Sequence, residues 1–499
     1  MTQRLSNLKE RILPHLHLHV PMKVGMYVSE PKWSNPDLDP LAPELRVWGA
    51  IDYWAYWCSD MLAPPLASVV SSVMSLGFTV REAIPIIFFG FLICSFVITA
   101  TGKMGATYAV PFPVIIRSIF GMYGSYPIIC IRFFVALMWT AILTVQAGMS
   151  LQRMIEAIWP SFINFPNHLP GEAGIDSAGL LCFMLYWIVQ TALSLMPIQK
   201  LRLLFWVKGV IVPPTFVALF LWAVIRTHGG GPYVEGRFVA TSTYMNAGYS
   251  SLTALNVIIG LFSSLAANMP DFGRFSKNNL AGGHQFLALP IIGTLGLAPK
   301  YVNVFRGTLF ISIFCVISTP WNIIKNAAGL LSFLSRYSCL MGPLAGIMVT
   351  DFYIIKQRKL NLHEMYRSYG IYWYTGGFHW RAFAAFFTAV APLMPGFAKS
   401  IDVALDVGGW KTYSFAWIFG YCIASFVYYG LNYMSPQTVS LVEVATYPLK
   451  LGETYATPAA GSEGASDSDL KDATVTRDRE VVWARRHFGS MVTMCFCEG

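Results

Sequence analysis

Charge is what this chain of 499 residues has least of: Asp, Glu, Lys and Arg together make up 12% of it. A water-soluble domain carries roughly 25%, so these side chains are too few to cover an ordinary aqueous surface. That argues against a soluble enzyme, a disordered scaffold and a nucleic-acid binder. Paired cysteines are lacking too. The nine are scattered singly apart from Cys495 and Cys497, which leaves neither a zinc-type spacing nor a disulfide framework. The nine histidines have no paired spacing inside an apolar run, so neither a metal site nor a histidine proton relay is expected. The first 45 residues are polar, with no apolar h-region, so no cleavable signal peptide is expected.

What the chain does have is apolar length: 55% of it is hydrophobic and its mean hydropathy is +0.52. A spanning helix needs about 20 mainly apolar residues. Ten such runs cover 50–76, 83–101, 127–149, 178–197, 204–225, 247–268, 307–324, 328–355, 382–398 and 414–434. A further apolar piece, 285–299, is short and interrupted by Pro290, Gly293, Gly296 and Pro299, and is expected to enter and return or to lie at the surface. The net charge of +9 needs no acidic partner, because cytoplasmic loops of membrane proteins collect Lys and Arg. The ten-span threading puts 17 of them on one side and 7 on the other, which predicts both termini inside. The expected fold class is therefore an all-α polytopic membrane protein. Residues 1–49 form a cytoplasmic N-tail, 50–435 the transmembrane domain and 436–499 a cytoplasmic tail. Stretch 452–472, rich in Gly, Ala, Ser, Asp and Glu, should be disordered.

Polar groups at membrane depth are costly and are the default functional candidates. In the first run, Asp60 is followed by Pro64 and Pro65. Proline removes a backbone donor, and a broken helix exposes carbonyls and a half-helix N-terminus suited to ions and anionic groups. The alternative is a simple proline kink with Asp60 at the interface. The sixth run holds the small residues Gly260, Ser263, Ser264, Ala266 and Ala267, then Asn268-Met-Pro-Asp271, which ends or bends it. One interrupted span in each half is the pattern of a transporter with inverted repeats. The third run holds Trp139 and Gln146, seven apart and hence on one face. A flat ring beside an amide suits a planar amide-bearing solute such as a pyrimidine. A packing Trp and an interhelical Gln explain the same pair. Asp351 with Lys356 reads as a solvated cap.

Several strings resemble the nucleobase-cation-symport-1 family. Asn35-Pro-Asp-Leu-Asp-Pro-Leu-Ala-Pro-Glu-Leu-Arg-Val-Trp48 looks like its entry motif, and Ala267-Asn-Met-Pro-Asp-Phe-Gly-Arg-Phe275 is similar to its sixth-helix signature. Met196-Pro-Ile-Gln-Lys-Leu-Arg202, Lys300-Tyr-Val-Asn-Val-Phe-Arg-Gly307 and Pro320-Trp-Asn322 resemble further loops and helix ends. Leu334-Ser-Arg-Tyr-Ser338 and the run from Gly342 to Tyr353 resemble its tenth helix. The resemblance covers about 30–450 and is nearest to fungal uracil, uridine and allantoin permeases. It implies twelve helices, the first ten as two inverted five-helix repeats, followed by two extra C-terminal helices. It implies a solute between helices one, three, six, eight and ten, and coupling to protons or sodium. The family's stacking tryptophan falls on Trp139. Its glutamine four residues on falls on Leu143, so Gln146 would have to substitute. The sixth-helix pocket position lies near Phe262, beside Ser263 and Asn268. Asp60, Pro64, Pro65 and Tyr337 are the candidate gating residues. Relatives carry most of a seventh helix and all of an eighth where this chain has only the stretch between Phe275 and Lys300. About ten spans are therefore expected here instead of twelve.

The expected function is secondary active transport of a nucleobase-type solute such as uracil, uridine or allantoin across the plasma membrane. The expected partners are that solute, a co-transported proton or sodium ion, and the lipid bilayer, with no nucleic acid, cofactor or metal. An internal deletion could leave the chain inactive, and the alternative is a non-transporting sensor or partner of a full-length permease. No nucleophile–base constellation sits in any span, so an enzyme is not expected.

Overall fold

The computed structural model describes residues 32–34, 37–61, 75–170, 174–194, 247–277, 327–401 and 410–448, with Val73, Leu405 and scattered positions between 203 and 225. The expected run 307–324, the short piece 285–299 and both sequence extremes lie outside the described residues, as does most of 204–225. The described elements are helical, and the only extended pairings among them are three isolated bridges.

Helix α1 spans Ala50–Met61. Helix α2, Val80–Tyr108, begins where Thr79 and Glu82 cap each other: the Thr79 N–H and hydroxyl both donate to the Glu82 carboxylate, at 2.9 and 2.8 Å. That capping box satisfies donors which the first turn leaves orphaned. It ends at Ala109, held at φ 53°. Helix α3, Phe112–Phe120, was not expected. It has nine residues, all buried, and an element that short carries no spanning signal. Helix α4, Ser125–Ile158, outruns its apolar core of 127–149. Its extra turns are held by Glu156, which accepts from Gln152 at 3.0 Å and Arg153 at 2.7 Å, and Pro160 stops it. Helix α5 is Ser177–Ser194.

Helix α6, Ala247–Asn268, is followed by the single turn α7, Pro270–Gly273. The sixth span is thus continuous, and its interruption falls at its end, where Pro270 lacks the N–H that would extend the ladder. Helix α8, Ala327–Val349, passes into a π turn, Thr350–Ile355. Helices α9, Trp380–Val390, and α10, Met394–Ile401, are separated by a short 3-10 turn and make up the expected run 382–398. Helix α11 is Ala416–Met434. Among the described residues, seven stretches are long and apolar enough to cross a membrane: Pro85–Tyr108, Ser125–Ile158, Ser177–Ser194, Gly248–Asn268, Leu334–Ile355, Trp380–Ile401 and Lys411–Met434.

α6 packs against α2 and α8, and α8 against α11 and α9. The approach is close because small residues face each other: a Cβ on Gly260 would stand 2.8 Å from Ser338 Oγ and 3.1 Å from the Leu334 carbonyl oxygen. In lipid, where tails are as apolar as leucine, such packing replaces the hydrophobic drive between helices. α5 stands apart from this core, joined to α4 through Ala141, Val145 and Phe183.

Candidate functional site

Trp139 leaves α4 in the middle of its apolar run, half-buried, and packs against the main core. Its ring meets that of Tyr337 on α8 at 81°, with centroids 6.2 Å apart, the edge-to-face arrangement that aromatic quadrupoles favour. The Tyr337 hydroxyl donates to the carbonyl oxygen of Gly260 on α6. Ser263 donates to the same carbonyl at 3.1 Å. Three helices therefore converge at one level through an indole, a phenol and a main-chain acceptor.

Phe262, buried, lies between Gly260 and Ser263 on α6 and packs on Phe91 of α2 at 5.3 Å. Gln146 is buried on the Trp139 face, about 10 Å along α4 by helical rise. Leu143 is 41% exposed and lies on the outer side of α4 among the described residues. Asn268 is buried at the end of α6, about 12 Å along the axis from Gly260. The structure thus brings Trp139, Tyr337 and Ser263 together around Gly260 and leaves Gln146 and Asn268 at a distance along their helices. Asp60 belongs to α1, but its side chain, with Pro64 and Pro65, lies outside the described residues.

One charged feature is missing from the sequence reading, and a second differs from it. Arg132 lies seven residues before Trp139, on the same face of α4, and is buried in a salt bridge to Asp271 of α7. The other Asp271 oxygen accepts the N–H of Phe112 at 2.9 Å, and the guanidinium sits 4.9 Å from the Phe112 ring centre. The available signal was an arginine inside the run 127–149, which is a functional pointer by default when it has a carboxylate partner. Next, Asp351 and Lys356 are no solvated cap. Their side chains are 1% and 0% exposed, with Nζ and Oδ2 2.6 Å apart. Spacing alone suggested a helix end in water, whereas the segments folded over it seal it.

Helix α1 meets the α6 segment at its α7 end. The Tyr53 hydroxyl of α1 donates to the Phe272 carbonyl at 3.2 Å. Trp48 pairs with the chain after α7 through main-chain bonds to Phe275 and Lys277, each 2.9 Å.

Known proteins resemble this chain in sequence and in fold. The sequence profile described as a permease for cytosine/purines, uracil, thiamine and allantoin matches residues 40–298 and 286–420. The allantoin permease of Bacillus subtilis is 25% identical, the match covering 83% of this chain and 96% of that protein. The uracil permease of Saccharomyces cerevisiae is 24% identical, covering 83% and 78%. Among solved structures, a nucleobase-cation-symport-1 family transporter in a closed conformation with bromovinylhydantoin bound superposes with a TM-score of 0.60. It is 16% identical, covering 81% of this chain and 97% of that one. The likeness shows the same polytopic helical fold. On the profile match, which runs through most of its length, the chain belongs to the family of permeases for cytosine/purines, uracil, thiamine and allantoin.

Proposed function

We propose that this chain is a secondary active transporter that moves a planar nucleobase-type solute, such as uracil, uridine or allantoin, across the plasma membrane with a co-transported proton or sodium ion. The observation that carries the reading is Trp139, held half-buried and perpendicular to Tyr337 where α4, α6 and α8 converge. An indole fixed in that way offers a flat face for stacking, and a planar heterocycle is the ligand class such a face selects. Ser263 adds a hydroxyl at the same level, and Phe262, Gln146, Leu143 and Asn268 are assigned to solute binding along α6 and α4. Asp60, Pro64, Pro65 and Tyr337 are assigned to gating. Residues 1–49 and 436–499 are assigned to the cytoplasmic side as tails of the membrane domain 50–435.

A second reading, a non-transporting partner or sensor derived from a permease, draws on a specific feature. The profile matches in two pieces that overlap over 286–298, as expected if a segment between them is missing. The alignment to the yeast uracil permease runs over 496 positions while using 83% of this chain, which fits a long internal gap. Lost pieces of two helices would include the part of the pocket wall where the family looks after solute and cation.

Uptake of radiolabelled uracil and allantoin in a permease-null cell separates the readings. Transport that Trp139→Ala abolishes, with normal surface delivery, supports the first. Absent uptake with normal delivery of the unaltered chain supports the second. Sequencing the transcript between codons 284 and 300 establishes whether a further helical segment is encoded there.

A further inference from the structure

The Asp351–Lys356 pair lies outside the proposed solute site, and its described partners come from α3, the 372–379 loop and α11. Lys356 Nζ donates to Asp351 Oδ2 at 2.6 Å and to the Ser118 carbonyl of α3 at 2.5 Å. The Tyr374 hydroxyl donates to the same carbonyl at 2.5 Å. The Tyr428 hydroxyl of α11 donates to Asp351 Oδ1 at 2.6 Å. His379 stacks on Tyr374 with ring centres 4.2 Å apart and meets Tyr428 edge-on at 5.8 Å. Its Nδ1 lies 2.6 Å from the Ile119 carbonyl oxygen. The Lys356 ammonium also faces the Tyr372 ring at 5.4 Å.

The pair exists only because the chain is π-helical there. At roughly 100° per residue, side chains five apart on an α-helix point about 140° away from each other. The π turn Thr350–Ile355, closed by the Lys356 N–H to the Asp351 carbonyl at 2.8 Å, brings both to one side. A turn of that kind is less regular than the helix it interrupts, and π turns are enriched at functional positions. Neighbouring backbone is unusual as well: Gln357, Arg358 and Tyr374 have φ of 48°, 63° and 49°. Such conformations persist where the surrounding contacts over-determine them.

Separating two fully buried charges without water to receive them is strongly unfavourable. We infer that the Asp351–Lys356 pair is a fixed clamp that makes the end of α3, the π turn of α8, the 372–379 loop and the middle of α11 move as one rigid unit while other helices rearrange. The clamp acts on conformation and touches no solute, so it holds whether or not the chain transports.

Hydrogen exchange on the detergent-purified full chain tests this directly. In unaltered protein, peptides covering 112–121, 350–358, 372–380 and 424–432 are expected to open together, within about threefold in rate. Lys356→Met should accelerate all four while leaving 177–194 unchanged. Tyr428→Phe, a milder change, should accelerate the same four by a smaller factor. In thermal unfolding, Asp351→Asn and Lys356→Met should each lower the midpoint, and the double variant should regain at least half of the larger loss. Independent exchange of the four peptides in the unaltered protein overturns the clamp. So does a double variant no more stable than its worse parent.

Discussion

Tyr337 donates its hydroxyl hydrogen to the carbonyl oxygen of Gly260, so one side chain of α8 is tied to a main-chain acceptor of α6. Removing the hydroxyl leaves the carbonyl its second donor, Ser263. Tyr337→Phe should therefore cost about 1 kcal/mol, the net worth of one hydrogen bond, seen as a modest fall in the unfolding midpoint of the purified protein. An unchanged midpoint would remove the clasp between these helices.

Gly260 is where α6 and α8 come nearest. A methyl group there would stand 2.8 Å from Ser338 Oγ and 3.1 Å from the Leu334 carbonyl oxygen, and the second of these belongs to helical backbone and cannot rotate away. Gly260→Ala should cost roughly 1–3 kcal/mol through overpacking. Adding Ser338→Ala should return part of that loss, which a two-variant melting series measures.

Arg132 and Asp271 neutralise each other in a dry setting. Arg132→Met strands a buried carboxylate and should destabilise by about 3–5 kcal/mol. The paired replacement Arg132→Met with Asp271→Asn should be milder than either half. Expression level and monodispersity in detergent report the difference, and equal losses in all three variants would count against a direct pair.

His379 is buried, and burial pushes its imidazole down to about 3 from the ordinary 6.5, the bond to Ile119 opposing it only in part. The folded chain therefore holds this ring neutral while the unfolded chain takes up a proton below about pH 6.5. Stability supplied by the neutral ring is complete above that pH and declines as pH falls towards 3. By pH 5 the loss should reach about 2 kcal/mol. His379→Asn should flatten this acid-dependent component in unfolding midpoints taken from pH 7.5 to 5.

The apolar runs were legible because lipid imposes a simple rule on length, and α2, α4, α5, α6, α8 and α11 stand where that rule puts them. Trp139 was legible for a similar reason: one flat polar-edged ring in an apolar run is conspicuous. The rest depends on what tertiary structure adds. α3 is too short to signal a span, and its burial comes from neighbours far along the chain. Asp351 and Lys356 sit at a spacing that faces apart on an ordinary helix, so the sequence reads them together only as a solvated cap; a locally wider turn makes them a buried pair. The partner of Arg132 lies 139 positions away, on a turn whose role is set by Pro270.

α5 leans on α4 through Ala141, Val145 and Phe183, with the Thr144 hydroxyl donating to Gln190 at 2.9 Å. A two-rod hairpin with its own small seam can assemble as soon as both rods have left the ribosome, before any later segment exists. Lesions on that seam should accordingly register as early biogenesis failures, whereas lesions around Gly260 must wait for α8 to be made and will surface as late ones.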